Sequence, residues 1–92
     1  MERLKLAIVI PAFNEEKTIK NVVKSLKQYG EPIVVDDGSS DKTRAIALDA
    51  GAKVISHNKN MGYDKALNSG FKKAFSLDFD AVITLDADGQ HD

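Results

Sequence analysis

The 92-residue chain contains no cysteine, which excludes disulfides and thiolate-bound metals and fits a reducing compartment. It has no apolar run fit to span a membrane. The longest near its start, Leu6 to Ala12, falls far short of the ~20 residues a bilayer requires and opens a patterned domain rather than a signal peptide. Neither charge sign dominates: 13 Lys and Arg stand against 14 Asp and Glu, for a net charge of -1. The basic footprint of a nucleic-acid coat is therefore missing, and no nucleic-acid partner is expected. The turn Pro11-Ala12-Phe13-Asn14-Glu15 carries neither a glycine-rich dinucleotide fingerprint nor a Gly-Lys-Ser/Thr phosphate loop. Any phosphate here must be met by side chains and a metal. Repeats, linkers and low-complexity tracts are absent too. What remains, 42% hydrophobic and 29% charged residues, is the composition of one small globular domain with a modest core, expected in the cytoplasm.

Apolar runs and helical stripes alternate along the chain. Leu4 to Pro11 is a predicted first strand, nearly continuous in apolar character from Leu6 to Ile10 as strands covered on both faces are, with Pro11 ending it. Asn14 is the expected N-cap of a helix with Glu15 and Glu16 in its first turn. Ile19, Val22, Val23 and Leu26 form its apolar stripe, and Gly30 and Pro32 stop it. Ile33-Val34-Val35 is a second strand, running into Asp36-Asp37-Gly38-Ser39-Ser40, whose serines are expected to cap a second helix from near Asp41 to Gly51. Lys53 to Ser56 is a third strand. The loop from His57 to Gly62 leads to a third helix striped by Tyr63, Ala66, Leu67, Gly70, Phe71, Ala74 and Phe75, with both phenylalanines expected in the core. Ala81 to Leu85, rich in β-branched residues, is a fourth strand. This alternation predicts an α/β fold: a parallel sheet of four strands in the order 3-2-1-4, with helices on both faces.

In that order the winding reverses between the first and fourth strands, and ligands of such sheets bind at the carboxyl ends beside the reversal. Asn14 and Glu15 follow strand one, Asp36 and Asp37 follow strand two, and Asp86, Asp88 and Gln90 follow strand four. Alternation along an extended backbone sends Asp86, Asp88 and Gln90 to one side, where three oxygen donors suit Mg²⁺ or Mn²⁺. Carboxylates meet phosphates only through such a metal, and they also accept from ribose hydroxyls and base N–H groups. The amino ends of the second and third helices are expected to add backbone donors. The competing reading of Asp-x-Asp alone is a solvated acidic turn. A phosphoacceptor domain would also gather carboxylates at one edge, but with an acidic pair after the first strand, where this chain has Asn14 and Glu15.

Four segments together are more specific. Ile8-Val9-Ile10-Pro11-Ala12-Phe13-Asn14-Glu15-Glu16, Val34-Val35-Asp36-Asp37-Gly38-Ser39-Ser40-Asp41, Asn60-x-Gly62 with Ala66, Leu67 and Gly70, and Leu85-Asp86-Ala87-Asp88-Gly89-Gln90-His91 resemble the inverting family 2 glycosyltransferases of GT-A fold. They follow that family's order and spacing over nearly the whole chain. The resemblance implies a Rossmann-like half of a GT-A fold that binds a UDP- or GDP-linked sugar. It places Pro11, Phe13, Glu15, Asp36, Asp37 and Asp86 at the nucleotide, with Glu15 on the ribose and Asp37 accepting from the base. Asp86, Asp88 and Gln90 would hold the metal. The Asp-Ala-Asp-x-Gln-His variant is similar to the polyprenyl (dolichyl) phosphate sugar transferases, which implies a lipid-phosphate acceptor at the cytoplasmic face of a membrane; Gly89 and Asp92 depart from that branch. Residues 1–92 read as a donor-binding domain cut after the Asp-x-Asp motif, with no catalytic base of its own and the base expected beyond Asp92. A metal- and nucleotide-binding module without catalysis is the alternative. The outer edge of the fourth strand, 81–85, is expected to favour self-association.

Overall fold

The computed structural model of the chain describes residues 4–86. Strands and helices alternate along it: β1 (Leu6–Ala12), α1 (Ile19–Leu26), β2 (Glu31–Asp36), α2 (Thr43–Asp49), β3 (Lys53–Ser56), α3 (Tyr63–Ser76) and β4 (Ala81–Thr84). The strands pair in parallel in the order β3-β2-β1-β4, as the alternating pattern predicts.

The two central strands explain the unbroken apolar runs. Ala7 to Ile10 and Ile33 to Val35 are fully buried because helices cover both sheet faces. Alternate residues face opposite ways. Ile8, Ile10 and Val34 pack with Ile19 and Val23 of α1 and Ala47 of α2 on one face. On the other, Ala7 and Ile33 meet Ala74, while Val9 and Val35 meet Ala66, both from α3. At Gly70 the helix comes so close that a Cβ would stand 2.3 Å from Val9 Cγ1.

Several sequence expectations are corrected. Pro11 does not end β1, which continues to Ala12. The carbonyl of Val9 accepts from Leu85 N on the β4 side, and that of Ala12 accepts from Asp37 N on the β2 side. Pro11 therefore turns its nitrogen toward β4, whose pairing stops at Val9, so no ladder bond is lost. Pro32 likewise lies inside β2, in a position that precedes the pairing with β3. Helix α1 begins at Ile19, not beside Asn14, and Glu15 and Glu16 precede its first turn. Asn14 instead takes a left-handed φ of 53°, a conformation Asn tolerates better than most residues. Phe75 is 71% exposed, because the contact with the sheet narrows onto the small residues Ala66, Gly70 and Ala74; Phe71 packs partly buried beside it. No helix among the described residues is long and apolar enough to cross a membrane.

Candidate functional site

Where the winding reverses, a cleft of about 380 Å³ opens at the carboxyl ends of the strands, lined by Pro11, Phe13, Glu15, Asp37, Tyr63 and Asp86 among others. Asn60 and Gly62 bound it on the α3 side. Three carboxylates thus face one cleft, whose lining among the described residues includes no Lys or Arg. Phe13 and Tyr63 are 44% and 54% exposed, which leaves two aromatic rings accessible beside those charges. The structure brings Pro11, Phe13, Glu15, Asp37 and Asp86 together. It does not bring Asp36 with them. Neighbouring residues of an extended chain point opposite ways, and Asp36 is buried with its Oδ1 accepting from Ser39 N at 3.0 Å. It caps a turn. Asp88, Gln90 and His91 lie outside the described residues.

The edge is built by joining two loops. Asn14 N donates to Ser39 Oγ at 2.9 Å, and Ser40 N donates to Asn14 Oδ1 at 2.9 Å. Glu15 N donates to Thr43 Oγ1 at 2.8 Å, and Glu16 N to Asp41 Oδ2 at 3.2 Å. The serines therefore tie the turn after β1 to the turn after β2 and do not cap α2. Asp41 Oδ1 accepts from Thr43 N at 2.9 Å and Glu16 Oε1 from Lys42 N at 3.1 Å, so protein carboxylates already take amides at the start of α2. Of the amides expected to face a ligand at this helix end, those of Lys42 and Thr43 are thus taken by the protein's own side chains. Asp41 is held below the ordinary carboxylate range; desolvation works to raise it, and hydrogen bonds from Thr43 and Glu16 more than offset that.

Asp37 is the hub of the cleft. It is 5% exposed, and its Oδ1 lies 2.7 Å from His57 Nδ1 and accepts from Met61 N at 2.9 Å, while Oδ2 accepts from Gly62 N at 2.9 Å. Burial alone would raise its pKa; the hydrogen bonds from His57, Met61 and Gly62, with the nearby imidazole, lower it below the usual value of 3.8. Gly38 permits the arrangement. It has φ +79°, and a Cβ there would stand 2.4 Å from the Lys59 carbonyl carbon, so the turn after β2 seats directly on the loop that supplies Asp37's donors. His57 Nε2 is 2.9 Å from Ser69 Oγ on α3. Sequence reasoning did not single out His57. Its signal was position: it is the first residue after β3, at the same edge as the other polar residues.

Three carboxylates with no Lys or Arg among the described lining residues would repel a bare diphosphate, and hard oxygen donors suit Mg²⁺ or Mn²⁺. Among the described residues no group of three His, Cys, Asp or Glu side chains is placed to hold a metal ion; of the proposed ligands, Asp86 is the one described.

The family model for glycosyl transferase family 2 matches residues 7–92. An uncharacterized protein of Methanocaldococcus jannaschii is 47% identical over 86 residues, covering 91% of this chain and 35% of that protein. The UDP-N-acetylglucosamine–dolichyl-phosphate N-acetylglucosaminyltransferase of Methanococcus voltae is 42% identical over 103 residues, covering 91% of this chain and 41% of the relative. Among solved structures, the glucosyl-3-phosphoglycerate synthase of Mycobacterium tuberculosis in complex with Mn²⁺, UDP-glucose and phosphoglyceric acid superposes with a TM-score of 0.74 at 30% identity, covering 91% of this chain and 33% of that one. The same synthase has been solved with Mg²⁺ and UDP. The chain thus spans well under half the length of each of these proteins.

Proposed function

The chain belongs to glycosyl transferase family 2, and from that premise we propose that it forms the donor-binding half of an inverting glycosyltransferase whose donor is a UDP-linked sugar. The observation that carries this reading is the cleft itself: Phe13, Glu15, Asp37 and Asp86 meet at the reversal of winding with no basic residue among the described residues of the lining. In the proposed arrangement the base lies by Pro11 and Phe13, Asp37 accepts from its ring N–H, and Glu15 accepts from the ribose. Asp86, with Asp88 and Gln90, would hold Mg²⁺ or Mn²⁺ against the diphosphate. That ion, when bound, would neutralise charge on the departing nucleoside diphosphate. The carboxylates of this chain cannot do so, since their charge has the same sign as the leaving group's. The choice of UDP over GDP is supported by the UDP complexes of the mycobacterial synthase. A polyprenyl phosphate acceptor at the cytoplasmic face of a membrane is supported by the dolichyl-phosphate relative.

Calorimetric titration with UDP, GDP and their sugar conjugates, with and without Mn²⁺ and on Asp88→Ala, tests the reading. Heat that appears with UDP only when Mn²⁺ is present, and that the variant loses, is expected. Binding indifferent to both metal and Asp88 would overturn it.

A further inference from the structure

We propose that His57 is a positioning residue that makes Asp37 selective for a nucleobase presenting a ring N–H, by fixing the carboxylate so that Oδ2 keeps an acceptor position for the ligand. The inference rests on the donor-site reading above and deepens it.

An ionised carboxylate accepts about four hydrogen bonds, two on each oxygen. In Asp37 Oδ1 takes two, from His57 Nδ1 and Met61 N, and Oδ2 takes one, from Gly62 N. Among the described residues, the position that remains is therefore on Oδ2, in a side chain that lines the cleft beside Pro11 and Phe13. A base edge offering one N–H satisfies it. An edge that presents a lone pair instead brings two acceptors together and leaves the second acceptor position of Oδ2 unfilled in a nearly buried carboxylate, a mismatch that polar sites reject strongly.

Two backbone amides from adjacent residues do not set the plane of the carboxylate by themselves, because the terminal torsion of Asp is broad and soft. The imidazole supplies the third donor and sets that plane. Its own orientation is held from the other side, by Ser69 Oγ at 2.9 Å. With Nδ1–H donating to the Asp37 carboxylate, Nε2 pairs with the Ser69 hydroxyl, so the ring is held from both sides. The chain of contacts runs from α3 through Ser69 and His57 to Asp37, and ends at the ligand.

The test titrates UDP and CDP, each with Mn²⁺, into the wild-type chain and into His57→Ala, His57→Asn and Ser69→Ala. Uracil presents an N–H at the ring position where cytosine presents a lone pair. The wild type is expected to prefer UDP by at least about tenfold, the scale of one hydrogen bond to a charged group. His57→Ala should bring the ratio close to one. The side-chain amide of His57→Asn can replace the Nδ1 donor and should restore most of the preference, while Ser69→Ala should give a partial loss. A ratio that survives His57→Ala, with both nucleotides weakened equally, assigns His57 a merely structural role and overturns the proposal. Should circular dichroism show that His57→Ala is unfolded, Ser69→Ala decides, and an unchanged ratio there overturns it. Wild-type binding of both nucleotides without preference also overturns it while leaving the donor site standing. Wild-type binding of neither defeats the donor-site reading itself.

Discussion

At the scale of single residues, Asp37 illustrates how a buried carboxylate stays charged. Removal from water favours the proton, but three donors, the His57 imidazole among them, oppose it and win, as hydrogen bonds do at Asp41. Both groups therefore hold protons less tightly in the folded chain than in the unfolded one, where the ordinary value near 3.8 applies. Their contribution to stability is complete above that value and is lost as pH falls through the depressed folded-state values. The urea midpoint is accordingly expected to hold steady between about pH 7 and 5 and to drop below about pH 4. Asp37→Asn should be less stable near neutrality by about 1–3 kcal/mol, the cost of mismatching a buried polar group, and should show a shallower acid decline. A midpoint that rises on acidification would contradict the assignment.

At the scale of elements, α3 sets how near the cleft's far wall stands to the sheet. Gly70→Ala poses two opposing effects. Alanine gains about 1 kcal/mol of helix propensity over glycine. Its Cβ, however, would sit 2.3 Å from Val9 Cγ1 and 3.2 Å from Val35 Cγ2, and overpacking of a tight core costs about 1–3 kcal/mol. The clash should prevail, lowering the thermal midpoint; a more stable variant would mean that α3 lifts off freely. Strand β4 poses a different question. It pairs with β1 on one side, and Ile83 on it is 45% exposed. An edge of this kind is a template for another chain. Light scattering is expected to show mass rising with concentration, and Ile83→Lys should suppress the rise; a monomer at all concentrations would count against pairing through β4.

At the scale of the whole molecule, the site is a joint property of separate βα connections, so a ligand there should stabilise the entire fold. With donor and Mn²⁺ at about one hundred times the dissociation constant, linkage adds about 2.7 kcal/mol. For a domain of this size that is a rise in thermal midpoint on the order of 10 °C. EDTA should abolish it. A shift that persists in EDTA would show that the nucleotide is held without a metal.

The sequence by itself determined the order of strands and helices, the parallel sheet and the edge at which its polar residues collect, because these follow from periodicity and from chirality that every L-chain shares. It misjudged Pro11 and Pro32 as boundaries, since the cost of a missing N–H depends on which neighbouring strand ends where. It placed Asn14 and the two loop serines as helix caps, although their partners lie across the gap between two loops. Only the tertiary structure decided which of Asp36 and Asp37 faces the cleft, that Phe75 is left outside, and that His57 stands between Asp37 and Ser69. The joining of the two loops and the seating of His57 rest on contacts between residues 12 to 28 positions apart, and no local pattern encodes which side chains a folded sheet edge will bring within hydrogen-bonding distance.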